Sequence, residues 1–177
     1  PVMPFTMEEA FLESHLSGKA DSVHLLLFPE TPEGWKDDEL AARWAKIFTV
    51  RRVVTGALEV ERREKRIGAS LEAAPMVLIG DKALYDAFDG EDPSEIFITS
   101  NASLVFTELF HDDVKERGLQ MPDGVFDPSV VVDPVLAEGI KCRRSWKYFD
   151  PASADPSFPD ITPRDALAVK AWDKTYS

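Results

Sequence analysis

Cysteine is nearly absent from this sequence. The 177 residues include one, Cys142, which excludes an internal disulfide and a metal site built from four thiolates. Histidine is almost as scarce, with His15, His24 and His111 far apart and none in a metal-ligand pair. Long apolar runs are missing too: the longest, at 23–28 and 76–79, are strand-sized, against the roughly 20 residues a membrane-spanning helix needs. No basic stretch followed by an apolar core stands near the start, so no export signal is expected. These absences predict a soluble, cytoplasmic chain without membrane contact, stabilised by an ordinary apolar core. Its 44% hydrophobic and 29% charged residues suit that. The first residue is Pro1 rather than methionine, and an excised piece of a longer protein is expected.

Positive charge is also in deficit. Twenty basic against 32 acidic residues give a net charge of −12, which argues against a nucleic-acid partner, because phosphate binding is driven by cations that release counterions. The average conceals two basic islands. Residues 43–66 hold eight basic residues (Arg43, Lys46, Arg51, Arg52, Arg62, Arg63, Lys65, Arg66) and three acidic ones. Residues 141–147 hold four (Lys141, Arg143, Arg144, Lys147) and no acid. With a Debye length of about 8 Å at physiological salt, a local basic face can meet phosphates despite distant acids. Read from the residues alone, the first island is favoured as the solvated face of an amphipathic helix.

Hydrophobic periodicity and punctuation predict an α+β chain. A helix is expected over 5–16, capped by Thr6 with Glu9 as its capping-box partner, then an extended run over 22–28 and turns over 29–34. A long helix is expected over 37–67, with acids at Asp37, Asp38 and Glu39, bases at Lys65 and Arg66, and Gly68 as C-terminal cap. Its buried stripe is Leu40, Trp44, Ile47, Val54 and Leu58, and it would run about 45 Å. Short elements follow: strands at 76–79, 95–99, 130–132 and 137–146, a helix at 82–88, a strand or short helix at 102–110, and a hairpin or irregular loop at 118–128. The proline-rich 151–163 reads as irregular, with Phe158, Ile161 and Leu167 as possible anchors.

No self-contained active site is legible. Phosphate-cradling glycine loops, serine elbows and dinucleotide fingerprints are missing. Asp112 and Asp113 beside His111 read as loop solvation. Cys142 sits among cations that favour a thiolate, yet has no base near it in sequence. Binding is therefore the expected class of function. The pairs 142/145 and 162/165 each enclose two residues, and sixteen residues separate them, as in a C-x2-C…C-x2-C zinc knuckle. Three of the four ligand positions are Ser145, Thr162 and Asp165, so the zinc is expected to be lost.

The segments Arg62-Arg63-Glu64-Lys65-Arg66-Ile67-Gly68-Ala69-Ser70-Leu71-Glu72-Ala73, Gly139-Ile140-Lys141-Cys142-Arg143-Arg144-Ser145-Trp146 and Thr162-Pro163-Arg164-Asp165, with the opening Pro1–Ala10 stretch and the helix from Trp44 to Glu59, carry a resemblance. Together they resemble the C-terminal part of bacterial isoleucyl-tRNA synthetases, class I aminoacyl-tRNA synthetases. The resemblance implies the end of a helical anticodon-binding domain with a long connecting helix (1–70), an α+β junction domain (71–138) and a degenerate zinc-ribbon-like tail (139–177). It implies a parent that uses ATP and magnesium to attach isoleucine to its tRNA, with the catalytic domain upstream and no cofactor or catalytic residue in this chain. Arg144 and Trp146 would lie against the anticodon loop. Lys141, Arg143 and Lys147 would add phosphate contacts, and Arg51, Arg52, Arg62 and Arg63 would track the stem. Without the resemblance, Trp146 reads as a core residue. The tail is expected to be held by packing of Trp146, Phe149, Phe158 and Ile161. Partners are the isoleucine tRNA and the upstream domains, and a monomer is expected. The alternatives are a structural domain docking on its parent chain, or a residual metal site on Cys142 and Asp165.

Overall fold

The computed structural model describes residues 3–16, 20–107 and 129–176. The expectations for 118–128, for His111, Asp112 and Asp113, and for the end of the 102–110 segment lie outside the described residues. The chain divides into two compact units, 1–38 and 39–177.

In the first unit, α1 (Pro4–Glu13) has Met3 as its N-cap, with no side-chain hydrogen bond there, and Pro4 in its first turn. Thr6 is therefore inside the helix rather than its cap. Proline wins this position because its missing N–H would be unpaired in the first turn anyway and its φ is already helical. The 22–28 run is not a strand. Ser22 and the Val23 amide both donate to Glu8 Oε2 at 3.0 Å, which ties a 3-10 turn (Val23–Leu25) to α1. An extended segment without a partner strand leaves its backbone groups unpaired, and the turn supplies partners instead.

In the second unit, α2 (Asp38–Arg63) buries Ile47, Val50, Val54, Ala57 and Leu58. Leu40 is largely exposed and falls outside the buried stripe. The helix stops four residues before Ile67 and is not capped by Gly68. The Arg66 amide bonds to the Glu61 carbonyl at 2.9 Å and the Lys65 amide to the Arg62 carbonyl at 3.0 Å, with Lys65 left-handed at φ 60°. This is a Schellman turn closed by a lysine in place of glycine. Glu61, only 7% exposed, accepts two bonds from the Arg66 guanidinium, at 2.5 and 2.6 Å. That pairing holds the Glu61 carboxyl below its ordinary range, although burial opposes it.

The sheet has order β2-β1-β3. β1 (Met76–Ile79) pairs in parallel with β2 (Ser103–Phe106) and antiparallel with β3 (Val130–Asp133). Val77, Ile79, Val130 and Val132 alternate onto the buried face and pack with the α2 stripe, Phe88 and Phe97. Two short helices, α3 (Lys82–Asp86) and α4 (Pro93–Phe97), lie in the β1–β2 connection. The strand expected at 95–99 is α4 instead. Asp92 caps it by accepting from the Ser94 amide at 2.8 Å, Pro93 occupies its first turn, and Ile98 ends it in the left-handed region at φ 58°. A capping Asp followed by Pro starts a helix whatever β-propensity follows.

The strand expected over 137–146 shrinks to β4 (Ile140–Lys141), paired with β5 (Tyr148–Phe149). Gly139, at φ 101°, approaches the Phe149 carbonyl so closely that a Cβ would sit 2.2 Å from it. The tail carries a helix the sequence reading missed, α5 (Pro163–Tyr176). A small second core of Cys142, Ile161 and Ala166, flanked by Phe149, Phe158 and Val169, holds it. Trp146 and Leu167 are not part of that core, being 62% and 68% exposed. Ala166 and Val169, three apart, take the inward stripe of α5 and turn Leu167 outward. Among the described residues, no helix is long and apolar enough to cross a membrane.

Candidate nucleic-acid interface

Residues 142–147 form a tight turn between β4 and β5. The Cys142 amide donates to the Lys147 carbonyl at 2.8 Å and the Trp146 amide to the Cys142 carbonyl at 3.1 Å. Closing so short a loop forces Trp146 to φ 63°, a region costing a non-glycine residue roughly 1–2 kcal/mol. The consequence is an indole that stands out from the turn, with Lys141 Nζ 5.6 Å from its ring centre. Arg143 reaches Asp160 at 3.1 Å and remains well exposed. Arg144 Nε stands 3.7 Å from Asp165 Oδ1, with more than half of its side chain in solvent. The sequence had grouped Trp146 with the tail's packing residues; the turn presents it in solvent beside Lys141 instead.

The positions 142, 145, 162 and 165 do converge, as the knuckle-like tail implied by the resemblance requires. Asp165 Oδ2 accepts from Cys142 Sγ at 3.2 Å and from Thr162 Oγ1 at 2.8 Å. The Ser145 and Thr162 amides donate to Cys142 Sγ, both at 3.4 Å. Ser145 Oγ is buried without a hydrogen bond of ordinary geometry, yet lies near enough to act on the Asp165 carboxylate. Burial pushes that carboxyl's pKa up, but the Ser145 and Thr162 hydroxyls, the Cys142 thiol and the Arg144 charge outweigh it and hold it below the usual range. One thiol, one carboxylate and two neutral hydroxyls, with the thiol and the Thr162 hydroxyl already bonded to the carboxylate, do not fit zinc, which wants thiolates and imidazoles. Among the described residues, no three His, Cys, Asp or Glu side chains gather as a metal site.

The two basic islands meet at α4. Arg51 Nε donates to the Ile96 carbonyl at 2.8 Å. Next to it, Glu95 accepts from Lys147 Nζ at 2.6 Å and from Arg164 at 3.2 Å. Arg43 is spent on the fold, donating to the Ala87 and Asp89 carbonyls and pairing with Glu91. Arg62 pairs with Glu59 and Arg66 with Glu61 and Glu64. Among the described residues, Arg52 and Arg63 are exposed and make no side-chain bond. Glu95, Ser100 and Arg164 were not singled out from the sequence. Arg164 had a signal, its place inside the second two-residue turn, whereas Glu95 was read as strand and Ser100 carries no local signature.

Residues 1–78, which run through α1, α2 and the Schellman turn into β1, match the family of anticodon-binding domains of tRNA ligases. The chain is 49% identical over 170 residues to the isoleucine–tRNA ligase of Agrobacterium fabrum, covering 96% of this chain and 16% of that protein. This chain matches a segment of isoleucine–tRNA ligases that takes in their anticodon-binding region. The corresponding ligase of Brucella abortus is 46% identical over 174 residues, at 96% and 16% coverage. That of Caulobacter vibrioides is 46% identical over 173 residues, at 98% and 17%. The chain thus spans about one-sixth of the length of these family members, and the matched stretch takes in both basic islands.

Proposed function

We propose that this chain is the tRNA-gripping segment of an isoleucine–tRNA ligase, with no chemistry of its own, working in the cytoplasm as part of a parent that joins isoleucine to its tRNA using ATP and magnesium bound upstream. The observation that carries the reading is Trp146, an exposed indole held out by a left-handed backbone among Lys141, Arg143, Arg144 and Lys147. Unpaired loop bases offer π faces, and aromatic stacking on one contributes about 1–3 kcal/mol. Trp146 takes a base of the anticodon loop, Arg144 a base edge or phosphate, and Lys141, Arg143 and Lys147 the flanking phosphates. Arg51, Arg52, Arg62 and Arg63 lie along α2, where a rise of roughly 1.5 Å per residue spreads them over about 18 Å, a span suited to the stem. The working division is a helical part (1–70), a junction (71–138) and a zinc-free knuckle tail (139–177).

Titration with the anticodon stem-loop of isoleucine tRNA tests this. Four phosphate contacts on single-stranded RNA give a log–log salt slope of about −2.8, so affinity falls roughly 50-fold between 50 and 200 mM salt. Trp146→Ala and Arg144→Ala each weaken binding. Binding that ignores salt and both substitutions rejects the site.

A second reading is favoured by the first unit, where Leu27 and Phe28 are 92% and 85% exposed. There, this part of the chain is a structural element that docks on upstream portions of its parent, a role compatible with RNA binding by the knuckle.

A further inference from the structure

In a four-thiolate knuckle the metal ion ties two turns together; in this chain a carboxylate stands where they cross. Asp165, whose side chain is only 15% exposed, binds the Cys142 thiol and the Thr162 hydroxyl through Oδ2. Cys142 Sγ binds the amides of Ser145 and Thr162. The 142–145 and 162–165 turns are thereby joined through protein atoms. The second carboxylate oxygen, Oδ1, faces the Arg144 guanidinium at 3.7 Å. We propose that Asp165 is a positioning residue: its Oδ2 cross-links the knuckle in the manner of a metal, and its Oδ1 fixes the Arg144 side chain in the direction it needs to meet RNA.

The chemistry favours this division of labour. A mostly buried carboxylate must be hydrogen-bonded, and the thiol and hydroxyl meet that need. An arginine left unanchored on the surface gives up its rotamer freedom when it binds, whereas one already held by a carboxylate has less to lose. The RNA limb of the proposal rests on the role assigned to Arg144 above; the cross-linking limb does not.

The test combines Asp165→Asn, Arg144→Ala and the double variant of this chain, the isoleucine anticodon stem-loop as probe, and the 15N resonance of Arg144 Nε. In Asp165→Asn the Arg144 Nε–H signal moves to the position of an unrestrained arginine, with or without RNA. The stem-loop Kd rises roughly 3- to 10-fold, and the double variant binds no more weakly than Arg144→Ala alone. An Nε signal unmoved in Asp165→Asn, or losses that simply add, overturns the proposal. If Arg144→Ala leaves binding intact, the reading of the RNA site fails, while the Nε signal still decides whether Asp165 holds Arg144. Should Asp165→Asn unfold the tail, Asp165→Glu decides: a carboxylate one methylene longer must shift the Nε resonance, and an unmoved one overturns the proposal. Stoichiometric zinc in the purified chain also overturns it.

Discussion

Trp146 offers a perturbation whose effects on stability and binding run in different directions. Its φ of 63° is imposed by the turn that closes β4 onto β5, so alanine placed there carries the same left-handed cost of roughly 1–2 kcal/mol. Glycine avoids that cost and loses roughly 0.5–1 kcal/mol in unfolded-state entropy relative to alanine. Both Trp146→Ala and Trp146→Gly lose the indole and its contact with Lys141, so comparing the two isolates the backbone. Trp146→Gly is expected to be more stable than Trp146→Ala by about 0.5–1 kcal/mol, or roughly 1–4 °C in Tm for a chain of this size. At most exposed positions alanine is the more stable of the two. Both variants lose RNA affinity alike, by about 5- to 150-fold if stacking contributes 1–3 kcal/mol. Thermal melts and stem-loop titrations on the same preparations measure both. Equal stability of the two variants would falsify the claim that the fold strains this position to present the indole, and unchanged affinity in both would remove the reason for doing so.

Two further outcomes concern the scaffold that holds the site. The Ser100 hydroxyl donates to the Leu71 carbonyl and accepts from the Tyr148 amide at 2.6 Å, linking the turn after α2 to the knuckle; Ser100→Ala is expected to cost about 1–3 kcal/mol in urea unfolding, and a variant as stable as the parent chain rejects that link. Glu61, held below its ordinary pKa by Arg66 against the effect of burial, contributes stability that is present above the unfolded carboxylate range and is lost as pH falls through its lower folded value. The Tm gap between the wild type and Glu61→Gln should therefore close as pH drops below about 4; a gap that persists or widens in acid contradicts the pairing.

The parts of this fold that sequence made legible are those governed by local pattern. The strand at 76–79 has the bounds of β1, because a short apolar run between proline and glycine leaves few alternatives. The body of α2 was equally clear from its 3.6-residue stripe. The convergence of 142, 145, 162 and 165 was legible from their spacing only together with the resemblance, since any two short turns can match such a spacing by chance. What was misread depended on competition or on distance. At 92–97 an Asp–Pro start overrode the β-branched residues that followed. At 65 the Schellman turn accepted a lysine three residues before the glycine that promised a cap. Helix α5 was hidden behind prolines, although Thr162 accepting from the Asp165 amide is an ordinary capping arrangement. The exposure of Trp146 could not be read locally, because it follows from the pairing of β4 with β5 and from a second core built on α5.

The central claim is that the knuckle offers an aromatic and its surrounding cations to an unpaired RNA loop. The chain has four tryptophans, and Trp44 is packed against the main core while Trp146 stands in solvent. The most direct measurement follows the four indole N–H resonances as the isoleucine anticodon stem-loop is added. The account predicts a large, saturable, salt-sensitive shift of the Trp146 signal, accompanied by Arg144, with Trp44 unmoved. A Trp146 signal that stays in place while the RNA binds elsewhere, or does not bind at all, would contradict it.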